Sequence, residues 1–337
     1  MKAAFYKKAN DIQIENAEIP VPEDNEVLIK VGMAGLCGSD LHRFLGERKV
    51  RYTPIILGHE FFGIIDRVGR NVKRFKQGDR VVGNPYFTCG KCEYCISGHR
   101  NLCQHRTNIG IDMPGCFAEY IVMPEDSLYC IDTIVPEQEA VMVEPTAVAL
   151  RAINMAGSLI GKNVVVIGAG TMGQLITQLA VNAGAEVTVT DIVDRKLEVC
   201  KKMGASHIIN SLENDPIEAS RKWTDGQGPG VVIETAGIPI TVEQAVKMVQ
   251  WGGRVIVVGL STTPAKISPI DIARREIEII GSVLYVKEFE EAVKLINKRM
   301  LNFEPIISHV LPLEKCQEGF GLMAAGKDAM KILLAIG

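Results

Sequence analysis

Residues 164–173 read VVVIGAGTMG, an apolar run that enters a Gly168-x-Gly170-x-x-Gly173 turn and continues as a helical pattern. Strand, glycine turn and helix in that order commit this stretch to a parallel α/β unit. Gly168 permits the tight turn, Gly170 lets the backbone approach a pyrophosphate, and Gly173 lets the helix lie close on the strand. Thr171 and Met172 fall inside the turn, where the free amides of the helix start face an anion. The six-residue pattern is weak alone, and its surroundings strengthen it. A second strand, Glu186–Thr190, runs into Asp191, eighteen residues past the last glycine, where an acid takes the adenosine ribose hydroxyls. A carboxylate there also repels a 2′-phosphate, so the expected cofactor is NAD. Arg195 and the Arg274–Arg275 pair are the cations that would soften that preference.

The alternation continues beyond the turn. Strand patterns at Val164–Ile167, Val187–Thr190, Val231–Glu234 and Arg254–Val258 interleave with helical patterns at Gly173–Ala183, Arg195–Met203 and Val242–Gln250. A parallel sheet with helices on both faces follows. The first third is different. Glu26–Val31, Phe61–Val68 and Asp79–Val82 are strand-like runs punctuated by Gly and Pro, as in an all-β region. Phe289–Ile336 reads as two helical segments with a short strand near Ile306–Val310. With 337 residues, two domains are expected.

The charge balance removes several functions. A formal net charge of -3 without long like-charge runs argues against a nucleic-acid binder, which needs clustered cations. The most apolar long stretch, 163–185, is interrupted by Gly168, Gly170, Gly173 and Gly184 and by Gln174, Gln178 and Asn182, so no membrane span is expected. Lys7 and Lys8 stand where a signal peptide needs an apolar core, and a cytoplasmic location is expected.

Nine cysteines in such a chain point to metal rather than to disulfides. Four of them, Cys89-x2-Cys92-x2-Cys95-x7-Cys103, crowd an otherwise irregular segment, 84–106. Four thiolates close a tetrahedron round Zn²⁺ and leave no open position, which suits a structural ion. An iron–sulfur cluster fits less well, because of the x7 gap and the missing Cys-Pro. A nucleic-acid zinc module would use Lys91, His99, Arg100, His105 and Arg106, but no aromatic stacking platform accompanies them.

A second constellation is spread along the chain. Cys37 lies in GLCGSDLH (35–42), His59 and Glu60 in GHE (58–60), and Glu144 in VEP (143–145). Together they offer a thiolate, an imidazole and one or two carboxylates, the donor set of an open catalytic zinc. In this order, with the cysteine lobe and the GAGTMG turn, these motifs resemble the zinc-dependent medium-chain alcohol dehydrogenases over essentially the whole chain. Glu144 in place of the cysteine usual in simple alcohol dehydrogenases resembles the polyol and sugar dehydrogenase branch, with threonine dehydrogenase nearby.

The resemblance implies a GroES-like β-rich catalytic domain, 1–145 completed by 290–337, and a Rossmann doubly wound NAD-binding domain, 146–289. It implies two zinc ions per chain, the catalytic one held by Cys37 and His59 and completed by Glu60, Glu144 or both, with Asp40 orienting His59. Ser39 and His42 become a proton relay from the substrate hydroxyl, and Glu60 or Glu144 a second polar route. Val258-Gly259-Leu260 and Ser282-Val283-Leu284 are expected to flank the nicotinamide, and Thr235 the adenosine half. One departure stands out: sorbitol-type enzymes often carry Arg-Tyr where this chain has Leu284-Tyr285. Cations at Arg43, Arg48, Lys49 and Arg51 are candidates to meet a phosphorylated substrate.

The expected activity is oxidation of a secondary alcohol on a polyol, sugar, sugar phosphate or sugar acid, in a homotetramer or dimer. L-threonine 3-dehydrogenase is the enzymatic alternative, suggested by Ser39/His42 and by residues 301–309. A noncatalytic zinc- and nucleotide-binding regulator is the alternative of another class.

Overall fold

The computed structural model describes residues 1–326 and 329–337. The chain divides into two compact units, Met1–Glu144 with Phe289–Gly337, and Pro145–Glu288.

In the second unit six parallel strands form one sheet. Across it run His207–Asn210, Glu186–Asp191, Asn163–Ile167, Val231–Glu234, Arg254–Val257 and Glu278–Gly281. Val231–Glu234 is buried throughout and Asn163–Ile167 from Val164 onward, which is why both read as continuous apolar runs. The chain builds one half outward from Asn163–Ile167, then crosses back to Val231–Glu234 and builds the other half. The strand order therefore reverses at the end of Asn163–Ile167, where α/β sheets bind ligands. The three helices read from sequence are found here as Thr171–Asn182, Asp194–Lys202 and Pro239–Met248, each starting somewhat before its sequence pattern, and Pro216–Lys222 and Pro269–Arg275 join them.

The first unit is built on a seven-stranded sheet. Its long strand Glu26–Gly35 pairs antiparallel with Glu60–Val68, Tyr120–Pro124 and Lys331–Ala335. Several strands here are absent from the sequence reading, among them the first and the last of the chain. Lys2–Lys8 opens a three-stranded sheet, and Lys331–Ala335 lies between Glu26–Gly35 and Ile307–Pro312. KILLA has no alternation to betray it, because four of its five residues are buried. Stacked Phe44 and Phe320, 4.9 Å apart, help hold the helix Gly38–Phe44 on the helix Cys316–Ala325. The stretch 163–185 is a strand and a helix of the sheet unit, and no helix of the described residues is long and apolar enough to cross a membrane.

Candidate metal centres and cofactor cradle

Cys37 caps the helix Gly38–Phe44 at the end of the long strand, and Glu60 opens the neighbouring strand, directly opposite Gly35. This register brings Cys37, His59 and Glu60 together, with one donor atom of each within 4.8 Å of the others. Asp40 is fully buried, and its Oδ2 lies 3.3 Å from His59 Nδ1, which leaves Nε2 as the nitrogen for a metal. Burial alone would lower the His59 pKa; the Asp40 carboxylate and then Cys37 outweigh it and hold it well above the usual histidine value. A field that retains a proton there also favours a cation.

Glu144 lies outside the three-residue cluster, although it is buried and its charge reaches Lys331 and the Tyr86 hydroxyl. Burial and then Glu144 push the Tyr86 pKa up.

Lys331 is the neighbour that sequence reasoning missed. It is 2% exposed, its Nζ donates to the Leu36 carbonyl at 3.1 Å, and it forms an ion pair with Glu60 Oε2. Burial works against its charge, and Glu60 followed by Cys37 more than restores it, so its pKa is raised. A side chain at Gly35 would collide with both Glu60 Oε2 and Lys331 Cε, so glycine is required where the pair forms. Lys331→Met, which strands a buried carboxylate, should cost about 3–5 kcal/mol in denaturant unfolding of the metal-free protein.

Ser39 Oγ approaches Cys37 Sγ at 3.5 Å. His42 is exposed and is engaged elsewhere, with Nδ1 2.5 Å from Glu47 Oε2. The structure thus joins Ser39 to Cys37 and His42 to the following loop.

In the 84–106 segment the sulfurs of Cys89, Cys92, Cys95 and Cys103 lie within 4.8 Å of one another. Individual separations are 3.5 Å for Cys92–Cys95, 3.6 Å for Cys103–Cys89, 3.8 Å for Cys92–Cys103 and 4.0 Å for Cys89–Cys95. A tetrahedron with zinc–sulfur bonds of about 2.3 Å has edges of about 3.8 Å, so the four residues fit the ion. Backbone amides of Lys91 and then Cys92 lower the Cys89 pKa, which favours its thiolate. All nine cysteines are free of disulfides. Cys116 is buried beside the other centre and donates to the Glu60 carbonyl at 3.5 Å; burial raises its pKa and keeps it a thiol.

In the sheet unit, Gly170 caps the helix Thr171–Asn182, whose first turn holds Thr171, Met172 and Gly173. A side chain at Gly173 would run into the Gly168 carbonyl, so strand and helix meet more closely than any other residue allows. Asp191 is tied to this turn: Oδ2 accepts from Ala169 N at 2.6 Å, and Oδ1 from Ile192 N and Val193 N at 2.7 and 2.9 Å. The Thr235 hydroxyl donates to the Ile167 carbonyl at 2.8 Å and braces the strand end. Val258 and Gly259 hang from the Glu234 carbonyl at 2.9 and 3.1 Å. Leu260 and Val283 are exposed, Leu284 adopts a left-handed φ of 52°, and Tyr285 is buried. Ser282 Oγ is buried without a hydrogen-bond partner among the described residues, a vacancy that a polar ligand group would fill. Arg195 is exposed on the helix after Asp191, whereas Arg275 spends its guanidinium on the carbonyls of Val246 and Val249.

Glu234 was also missed. This fully buried carboxylate accepts from Ala236 N, Gly237 N and Thr241 Oγ1, all at 2.8 Å, and shapes the turn after its strand. Its only trace in the sequence is an acid ending an apolar strand, which as easily reads as a strand leaving the core.

Comparison with known proteins matches these parts. Residues 23–133 match the alcohol dehydrogenase GroES-like domain, and residues 171–298 the zinc-binding dehydrogenase model. Sorbitol dehydrogenase of Bacillus subtilis is 36% identical, over 94% of this chain and 92% of its own length. The crystal structure of galactitol-1-phosphate dehydrogenase from Escherichia coli superposes with a TM-score of 0.93 at 33% identity, covering 99% of this chain and 100% of that one. A zinc-binding dehydrogenase from Sinorhizobium meliloti, solved bound to NADP, gives a TM-score of 0.95 at 30% identity, covering 99% and 98%. Similarity that runs nearly end to end, in sequence and in fold alike, makes this chain a member of the zinc-type alcohol dehydrogenase family, in its polyol dehydrogenase branch.

Proposed function

We propose that the chain is a zinc- and NAD-dependent dehydrogenase of a secondary alcohol on a polyol, a sugar or a sugar derivative, holding one catalytic and one structural zinc. The observation that carries this reading is the Cys37–His59–Glu60 cluster: three protein donors, one short of a closed tetrahedron, beside the Ser39 hydroxyl. When bound there, zinc supplies Lewis acidity that eases ionisation of an alcohol, and NAD supplies the hydride acceptor.

The chain's own residues do the rest. Cys37, His59 and Glu60 hold the ion, and Asp40 fixes the His59 ring. Lys331 competes with the ion for Glu60, so this carboxylate has two partners to choose between. Ser39 passes a proton onward, a role supported by its hydroxyl lying 3.5 Å from Cys37 Sγ, and the buried Glu144 adds a negative charge felt at Tyr86. His42, at the exposed end of the helix, delivers the proton to water; His42→Ala should slow turnover about 10–100-fold and shift its pH profile, at or below the lower end of general-base effects.

The Asp191 carboxylate favours NAD, because a 2′-phosphate would meet a negative charge already fixed by three backbone amides. Asp191→Ser should lower the NAD-over-NADP ratio of kcat/KM by about 10–100-fold, as loss of one charge contact implies. An unchanged ratio removes Asp191 from cofactor choice.

A homo-oligomer, a dimer or a tetramer, is supported by the edge strand Glu278–Gly281, which among the described residues pairs on one side only and carries the exposed Ile279. A small-molecule substrate, no nucleic-acid partner and a cytoplasmic location complete the reading. The reading is tested by NAD reduction with zinc-loaded protein against polyols, sugar phosphates, aldonates and L-threonine. Turnover confined to L-threonine would replace the polyol assignment, and two bound zinc ions with no turnover on any alcohol would revive the regulator.

A further inference from the structure

The helix Gly38–Phe44 begins at the metal ligand Cys37 and leads into a loop that returns through Ile55–Ile56 to the metal ligand His59. Residues 43–51 of that path read RFLGERKVR, four cations and one acid. The acids of the segment are engaged: Glu47 with His42 at 2.5 Å, and Asp40 beside His59 at 3.3 Å. The side chains of Arg48, Lys49 and Arg51 have no acceptor among the described residues. The loop is nonetheless pinned. Glu47 N and Arg48 N donate to the His42 carbonyl at 2.9 and 3.2 Å, and Arg51 N to Ile111 O at 3.0 Å. Arg43 folds back along its helix to donate to the Ser39 carbonyl at 2.6 Å, which sets its guanidinium next to the residue whose hydroxyl touches Cys37. Its Nε is buried and has no acceptor among the described residues.

Four like charges within nine residues repel one another unless an anion joins them. A phosphomonoester carries nearly two negative charges and three acceptor oxygens, and Arg forks match it in shape. We propose that Arg43, Arg48, Lys49 and Arg51 form a phosphate subsite, so that the alcohol oxidised is a polyol or sugar monophosphate. This rests on the dehydrogenase reading above and narrows it. The phosphate is a handle only: its ester bond is neither made nor broken, and the two electrons still leave from the alcohol carbon. The other source of phosphate is the dinucleotide itself, and the experiment separates the two.

The test compares kcat/KM for sorbitol 6-phosphate with sorbitol, and galactitol 1-phosphate with galactitol, in the native protein and in the R48Q/K49Q/R51Q variant. The dissociation constant of NADH is read from its fluorescence, and binding of inorganic phosphate by calorimetry. The native protein should prefer the phosphorylated member of a pair by about 100-fold or more, and the variant should lose about 100-fold of that preference, since charge-assisted contacts contribute about tenfold or more apiece. Phosphate heat should disappear in the variant. Preference for the free polyol, a preference that survives the substitutions, or a loss that falls on NADH instead would overturn the proposal. If the native protein oxidises none of the four, the polyol reading fails, and the phosphate titration still decides the subsite: heat abolished by the substitutions supports it, and heat retained or never present refutes it.

Discussion

Cys37→Ala should leave a folded protein with one zinc ion instead of two and lower turnover by about 1,000-fold or more, because several kcal/mol of charge stabilisation is removed at about 1.4 kcal/mol per decade. The effect should be selective. The four-cysteine lobe lies in a separate stretch of chain, 84–106, and its sulfur tetrahedron does not include Cys37. Zinc measured by atomic absorption should therefore fall by half while the melting temperature changes little. Cys37→Ala protein with both ions and ordinary turnover would show that Cys37 is not a ligand.

Cys92→Ala should act in the opposite way, mainly on stability. The lobe has little apolar core: of its four cysteines only Cys95 and Cys103 are buried, and Tyr94, Ile96 and Leu102 are exposed. Its short helix Glu93–Ile96 and the turn Arg100–Leu102 have few partners besides one another. Zinc binding contributes about 10–16 kcal/mol to small zinc folds, so even a third of that lost should lower the melting temperature by about 10 °C at about 2–4 °C per kcal/mol. Limited proteolysis should cut within 84–106 first. A variant that keeps its melting temperature and resists cleavage would mean that the loop holds its shape without the ion.

The parts most legible in the sequence are those whose information is local. The four cysteines lie within fifteen residues, and the glycine turn is contiguous with the strand and helix it joins. The alternation of strands and helices in the sheet unit is likewise carried by short periodic runs. What escaped is set by contacts distant in sequence. Lys331 meets Glu60 across 271 residues, on a strand whose uniform burial erases any alternation. The choice between Glu60 and Glu144 as the third donor cannot be made from motifs, since each offers a single carboxylate; strand register brings Glu60, and not Glu144, into the cluster with Cys37 and His59. Asp191 illustrates a mixed case. Its position after the second strand marks it as a ribose ligand, but nothing in the spacing shows that both its oxygens brace the backbone around the glycine turn. His42 is the reverse: its neighbours suggest a direct relay with Ser39, whereas the structure pairs it with Glu47, five residues along the same segment.

Zinc at the Cys37 centre should be what makes this chain an NAD-linked oxidoreductase of polyol-type alcohols. The most direct measurement is NADH formation from NAD and a panel of free and phosphorylated polyols, by protein that is zinc-loaded, stripped of the Cys37-centre ion with a chelator, and reloaded. Turnover that requires zinc and returns with it is the predicted result. Turnover that persists after the ion is gone, or zinc-loaded protein that binds NADH and reduces NAD with no alcohol of the panel, would contradict the account.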